Sequence, residues 1–161
     1  MSFHRTWFPR TLGVLAVTVT LSFGAGLVSA QDRPSKGEQM LKYRKAVYQT
    51  MAWNFGPMAA MAQDKMPFDA KEFALRAERV AWLAPLLKEA YGPETRDLPD
   101  SKLKPEMWNQ RSDFDHRLQV LLDRTSELAQ TATTGDVAQS KSAFLETANA
   151  CKACHDQYRN D

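Results

Sequence analysis

Apolar residues recur along this chain at the three-, four- and seven-residue intervals of amphipathic helices, in four separate stretches. The first carries Met40, Val47, Met51, Phe55 and Met58, and Gly56-Pro57 is expected to bend or interrupt it. A second line, Phe73, Ala77, Val80, Ala84, Leu87 and Tyr91, runs to Gly92-Pro93, with a kink expected at Pro85. Asp69 and Glu72 form a capping-box pattern at its start, and Phe68 is placed to staple onto Phe73. The third line, Phe114, Leu118, Leu121 and Leu128, follows Pro105, which suits a first helical turn, and should end near Gly135. The fourth places Val137, Phe144, Ala148, Cys151, His155 and Tyr158 on one helix face. No stretch alternates as a strand would. The pattern therefore predicts an all-α fold, an antiparallel up-down four-helix bundle whose longest connection, roughly Gly92 to Lys104, joins the second and third helices.

Ahead of these helices lies a different segment. His4, Arg5 and Arg10 precede an apolar run from Leu12 to Val28 that ends in Val28-Ser29-Ala30, which reads as a secretory signal peptide over residues 1–30. A membrane anchor is the competing reading, but the run is at or just under spanning length and contains several Thr and Ser residues. Cleavage after Ala30 leaves a domain of about 131 residues, 31–161, the usual size for one core. It also removes Arg5 and Arg10, so the formal charge of +2 falls to about zero. A nucleic-acid role loses its electrostatic basis, and no membrane contact is expected after cleavage.

The chain's two cysteines sit in Cys151-Lys152-Ala153-Cys154-His155. In an exported protein two thiols ordinarily suggest a disulfide. This spacing with an adjacent histidine is instead the haem attachment pattern, in which the thiols add to the two vinyl groups and the imidazole binds iron. A redox dithiol usually opens a helix after a strand, whereas this motif lies near the end of a helical pattern. A zinc site would need a fourth ligand, for which the mature chain offers His116 or a carboxylate. On a helix Cys151 and His155 lie one turn apart with Cys154 beside them, so one rigid element can hold both thioethers and the iron ligand. One haem c per chain is thus predicted to form part of the bundle core.

The chain resembles the cytochromes c′, the high-spin branch of class II c-type cytochromes. The residues that carry the resemblance are Lys42-Tyr43-Arg44, Met66-Pro67-Phe68-Asp69, Tyr91-Gly92-Pro93, Pro105-Glu106-Met107-Trp108 and the C-terminal run from Cys151 to Arg159. The resemblance implies a four-helix bundle, usually a homodimer, in the periplasm. It also implies a five-coordinate iron with His155 on one side and a crowded, apolar opposite side. The first helix then supplies the residue over the iron, and low-spin relatives place a ligating Met there. Counting back from Pro67, that position is Tyr48, which is expected to stand over the iron without bonding to it. As a residue alone, Tyr48 also reads as a core aromatic whose hydroxyl finds a partner. A different register would bring Met40 or Met51 to the iron.

Arg44 lies one turn before Tyr48 and interrupts the apolar line, and a cation facing a core needs an anion. The haem propionates supply one, and the resemblance places Arg44 near them with Lys45 alongside. The plainer reading is an Arg that snorkels to the surface. Lys102 and Lys104 are further candidates for propionate contact, and Arg159, four residues beyond His155, for the face on which the imidazole binds.

Two function classes follow from one haem. The protein binds small uncharged diatomics, chiefly nitric oxide and carbon monoxide, at an open iron, or it exchanges electrons with a redox partner. The alternative of a low-spin, six-coordinate cytochrome would act purely in electron transfer. An enzyme lacks support, since no Ser-His-Asp set, phosphate loop or second metal site is legible. A homodimer follows from the resemblance, with Trp53 as a large aromatic away from the expected haem face.

Overall fold

A computed structural model describes residues 33–160, and the expected signal peptide lies outside the described residues. The described chain forms α1 (Lys36–Ala62), α2 (Ala70–Leu83), a short α3 (Glu106–Asn109), α4 (Arg111–Ala132) and α5 (Val137–Tyr158), with 3₁₀ turns at Ala84–Glu89 and Pro93–Thr95. The four long helices make the predicted bundle: α1 packs on α2, α2 on α4 and α4 on α5, while α1 and α5 meet in only a few places. That spacing opens a cavity between α1 and α5. No described helix is long and apolar enough to cross a membrane.

Local chemistry sets the helix ends. Ser35 caps α1 with a reciprocal box, its hydroxyl accepting from Glu38 N while Ser35 N donates to the Glu38 carboxylate. Gly37 is required beside it, because a Cβ there would lie 2.1 Å from the Glu94 carbonyl oxygen. Asp69 caps α2 through Lys71 N and Glu72 N, and Phe68 stacks on Phe73 with centroids 4.8 Å apart, as the pattern predicts. The capping box is only half made, since Glu72 turns to Arg76 instead of back to Asp69. Gly135 takes a left-handed φ of 75° after α4, and Asp136 caps α5 through Gln139 N.

Three sequence expectations are corrected. Gly56-Pro57 does not interrupt α1, which continues through Pro57 as helix. Proline cannot donate to the carbonyl one turn back, but the freed Trp53 carbonyl accepts from Arg76 Nη1 of α2 at 3.2 Å. A tertiary hydrogen bond thus replaces the local one. The third helix is broken at Gln110 (φ −117°, ψ 39°) into α3 and α4. At Pro85 the expected break is present, since α2 ends at Leu83 and the chain continues as a 3₁₀ turn. Val137, placed on the buried face by spacing, is 42% exposed, because it sits in the first turn of α5.

The core joins all four long helices. Met58 and Met61 of α1, Phe73, Ala77 and Val80 of α2, Phe114 and Leu128 of α4 and Phe144 of α5 are buried. Phe55 stacks on Phe144 at 4.4 Å, and Phe144 meets Phe73 edge-on at 6.3 Å. Phe55 of this cluster also lines the α1–α5 gap. Each fully buried phenyl contributes about 1.5–3 kcal/mol.

Candidate functional site

The gap between α1 and α5 holds a cavity of about 490 Å³. Its α5 wall carries Cys151, Cys154 and His155; its α1 wall carries Arg44, Lys45, Tyr48 and Met51; Phe114, Leu118 and Leu121 of α4 form its floor. Six of the site candidates named from the sequence, Cys151, Cys154, His155, Arg44, Lys45 and Tyr48, line this one space. Lys102 and Arg159 line it too, whereas Lys104 does not and instead donates to the Asp156 carbonyl. Met40 is held elsewhere, its sulfur accepting from Gly92 N at 3.2 Å.

The last turns of α5 are fixed from two sides. Lys104 N donates to the Tyr158 carbonyl and Asn160 N to the Lys102 carbonyl, each at 2.8 Å, tying the segment before α3 to the end of α5. From α4, Asp113 accepts from Tyr158 Oη at 2.5 Å and from Arg117 Nε at 2.6 Å, while Arg117 Nη1 reaches the Ala153 carbonyl inside the cysteine motif at 3.4 Å. Burial and the bond donated to Asp113 push the Tyr158 phenol up to about 12. Burial also raises both thiols, Cys151 to about 11, with Arg117 partly offsetting the rise at Cys154. Desolvation, followed by the Arg159 charge, holds the His155 imidazole below the usual histidine range. A neutral imidazole is the form that binds a metal.

Arg44 settles the reading of a snorkelling side chain against it, since the residue is only 6% exposed. Its guanidinium donates to the Ala90 carbonyl (3.3 Å), Thr95 Oγ1 (3.5 Å) and Ser101 Oγ (3.0 Å), and lies 4.8 Å from the Tyr91 ring centroid. All these partners are neutral, so among the described residues a buried positive charge borders the cavity with no carboxylate in ion-pair range. Lys45 is exposed on the rim.

Tyr48 and His155 approach across the cavity with ring centroids 6.4 Å apart and planes at 66°. The Tyr48 hydroxyl lies 2.7 Å from that of Tyr91, which enters from the connection after α2. Burial, before any effect of the partner, raises both phenols, Tyr91 to about 12. This wall is therefore less apolar than the resemblance implies. Sequence reading took Tyr91 as the end of an apolar line, and nothing local signals its pairing with a residue 43 positions away. Asp113 and Arg117 were also missed, although their i,i+4 spacing is legible. His116 is exposed and does not reach the cavity, and among the described residues no three His, Cys, Asp or Glu side chains gather as a metal site. The zinc alternative has no donor set.

The family model described as Cytochrome C′ matches residues 39–159. This chain belongs to the cytochrome c′ family. Cytochrome c′ from Rubrivivax gelatinosus is 37% identical over 119 residues, covering 74% of this chain and 92% of that protein. Its crystal structure superposes with a TM-score of 0.75 at 35% identity, over 80% of this chain and all of the other. A nitric oxide complex of a mutant cytochrome c′ from Alcaligenes xylosoxidans matches with a TM-score of 0.72 at 31% identity, over 80% of this chain and 99% of that one. The fold is thus the four-helix bundle of the cytochromes c′, and the chain is a c-type cytochrome whose cofactor is covalently attached haem c.

The residues present fit that group. The cavity is within the roughly 300–1,000 Å³ range of cofactor pockets, both thiols stand on one wall, and the buried Arg44 charge lacks the anion that a propionate provides.

Proposed function

We propose that Cys151 and Cys154 form the two thioether bonds, that His155 is the axial ligand, and that Tyr48 stands over a five-coordinate iron without ligating it. Bound haem supplies a metal centre that takes a sixth ligand or an electron. The chain's own residues then do the rest. Arg44, with Lys45 and Lys102 at the rim, pairs the propionates; Asp113, Arg117 and Tyr158 hold the last turns of α5 so that both sulfurs and the imidazole stay in register; Tyr48 crowds the sixth position. On this reading the protein binds nitric oxide or carbon monoxide, or carries electrons, and is not an enzyme.

The observation that carries the reading is the approach of Tyr48 to His155 within the cavity, with the phenol engaged by Tyr91. A phenol held by another hydroxyl is a poor ligand for ferrous iron compared with a thioether. The optical spectrum of the reduced protein tests it: a broad high-spin Soret band without a sharp alpha band is expected. A low-spin spectrum indifferent to carbon monoxide would overturn it in favour of six-coordinate electron transfer. One feature favours that second reading, since Met51 is buried in the same cavity wall.

Export to the periplasm, with cleavage after Ala30, is part of the proposal and accords with a haem attachment motif in the mature domain. So is a homodimer, for which Trp53 and Trp82, 76% and 71% exposed on α1 and α2, supply apolar surface. Sedimentation of the holoprotein at micromolar concentration should give twice the monomer mass.

A further inference from the structure

The hydroxyl inventory of the cavity leaves one donor over. A phenol has a single O–H and two acceptor lone pairs. Tyr48 Oη and Tyr91 Oη lie 2.7 Å apart, so one O–H is used between them, and among the described residues neither hydroxyl has another partner. Whichever phenol donates to the other, the second O–H has no protein acceptor. The cation beside the pair does not help, because Arg44 has only donors. A buried donor left unmade is costly, which makes an acceptor inside the cavity the natural complement.

Either oxygen can be the donor within the pair. Of the two rings it is Tyr48 that approaches His155, with centroids 6.4 Å apart. An acceptor bound beside His155 is therefore met by the Tyr48 O–H, with Tyr91 donating to Tyr48.

We infer that Tyr48 donates a hydrogen bond to a small ligand bound at the sixth iron position, and that Tyr91 is the positioning residue that orients it. The inference rests on the five-coordinate reading above. It gives Tyr48 two separable effects. Its ring obstructs every ligand alike, whereas its hydroxyl favours those whose outer atom accepts a hydrogen bond. The cavity thereby selects polar or polarisable diatomics over inert ones of the same size.

The ferrous carbonyl of the holoprotein is the probe. Tyr48→Phe keeps the ring and removes the donor, so the C–O stretching frequency should rise and carbon monoxide should leave on the order of threefold faster, the worth of a modest hydrogen bond. A small frequency shift between light and heavy water should be present in the unmutated protein and absent from Tyr48→Phe. Tyr91→Phe keeps the Tyr48 donor, so its C–O band should stay below that of Tyr48→Phe but broaden as the phenol loses its anchor. Identical C–O frequencies in the unmutated protein and Tyr48→Phe would overturn the inference, as would a rise confined to Tyr91→Phe, which would reverse the donor order. An unmutated protein that is low-spin and takes no carbon monoxide would sink the five-coordinate reading as well, and the spectrum before gas is added distinguishes that failure.

Discussion

On one side of the cavity, Cys151, Cys154 and His155 come from five consecutive residues on a single helix. On the other, Tyr48 and Arg44 of α1 are engaged by Tyr91, Ala90, Thr95 and Ser101, which lie 43 to 57 residues further along the chain. The first wall needs only that its segment be helical. Its spacing then brings thiols and imidazole together, and contacts from α4 and the segment before α3 merely hold the helix in place. The second wall exists only once the bundle has closed, because its polar groups satisfy one another across distant elements. On the proposed reading, haem attachment is carried by the local wall and the tuning of the site by the assembled one.

The largest expected effect comes from breaking the local wall. Cys151→Ser with Cys154→Ser should abolish covalent attachment, so that acid-acetone extraction carries all colour into the solvent. Stable folding should be lost with it, since the bundle is built around the space the cofactor fills. A double variant that retains colour on the polypeptide would show that the motif is not the point of attachment.

Changes in the assembled wall should retune the site and leave attachment intact. Tyr48→Ala removes a packed ring, and carbon monoxide should bind roughly tenfold faster or more, equivalent to about 1.4 kcal/mol of displaced packing. Stopped-flow mixing of the reduced protein measures this. Tyr48→Met should act in the opposite sense by offering a thioether, and the reduced spectrum should move toward low spin with a sharp alpha band.

A smaller effect is expected at Arg44. On the proposed reading, Arg44→Gln leaves a haem propionate without its charge partner, and denaturant unfolding of the holoprotein should show a loss of about 1–3 kcal/mol with haem still attached. An unchanged midpoint would mean that no anion pairs with the guanidinium.

The smallest effect concerns alkaline pH. Burial holds the Tyr91 phenol at about 12, against an ordinary value of 10.0. The folded protein therefore keeps a proton that the unfolded chain releases first. The resulting stabilisation is complete below about pH 10 and is lost as pH rises toward about 12. Tyr91→Phe should flatten stability against pH in that window relative to the unmutated protein, and equal slopes would remove Tyr91 from the account.

The sequence by itself determined the four amphipathic faces, the Phe68–Phe73 staple and the one-turn spacing of Cys151 and His155, because each depends on residues within a few positions of one another. It also marked Arg44 as a misplaced cation, since a charge in an apolar line is visible without a fold. Tertiary structure alone decided that α1 continues through Pro57, because the carbonyl the proline frees is satisfied by Arg76 of another helix. It alone decided that Tyr48 is paired with Tyr91 and that Arg44 has neutral neighbours. Helix periodicity says which way a side chain faces, but a buried polar group is stable only beside its partner, and partners that far apart in sequence are fixed by packing.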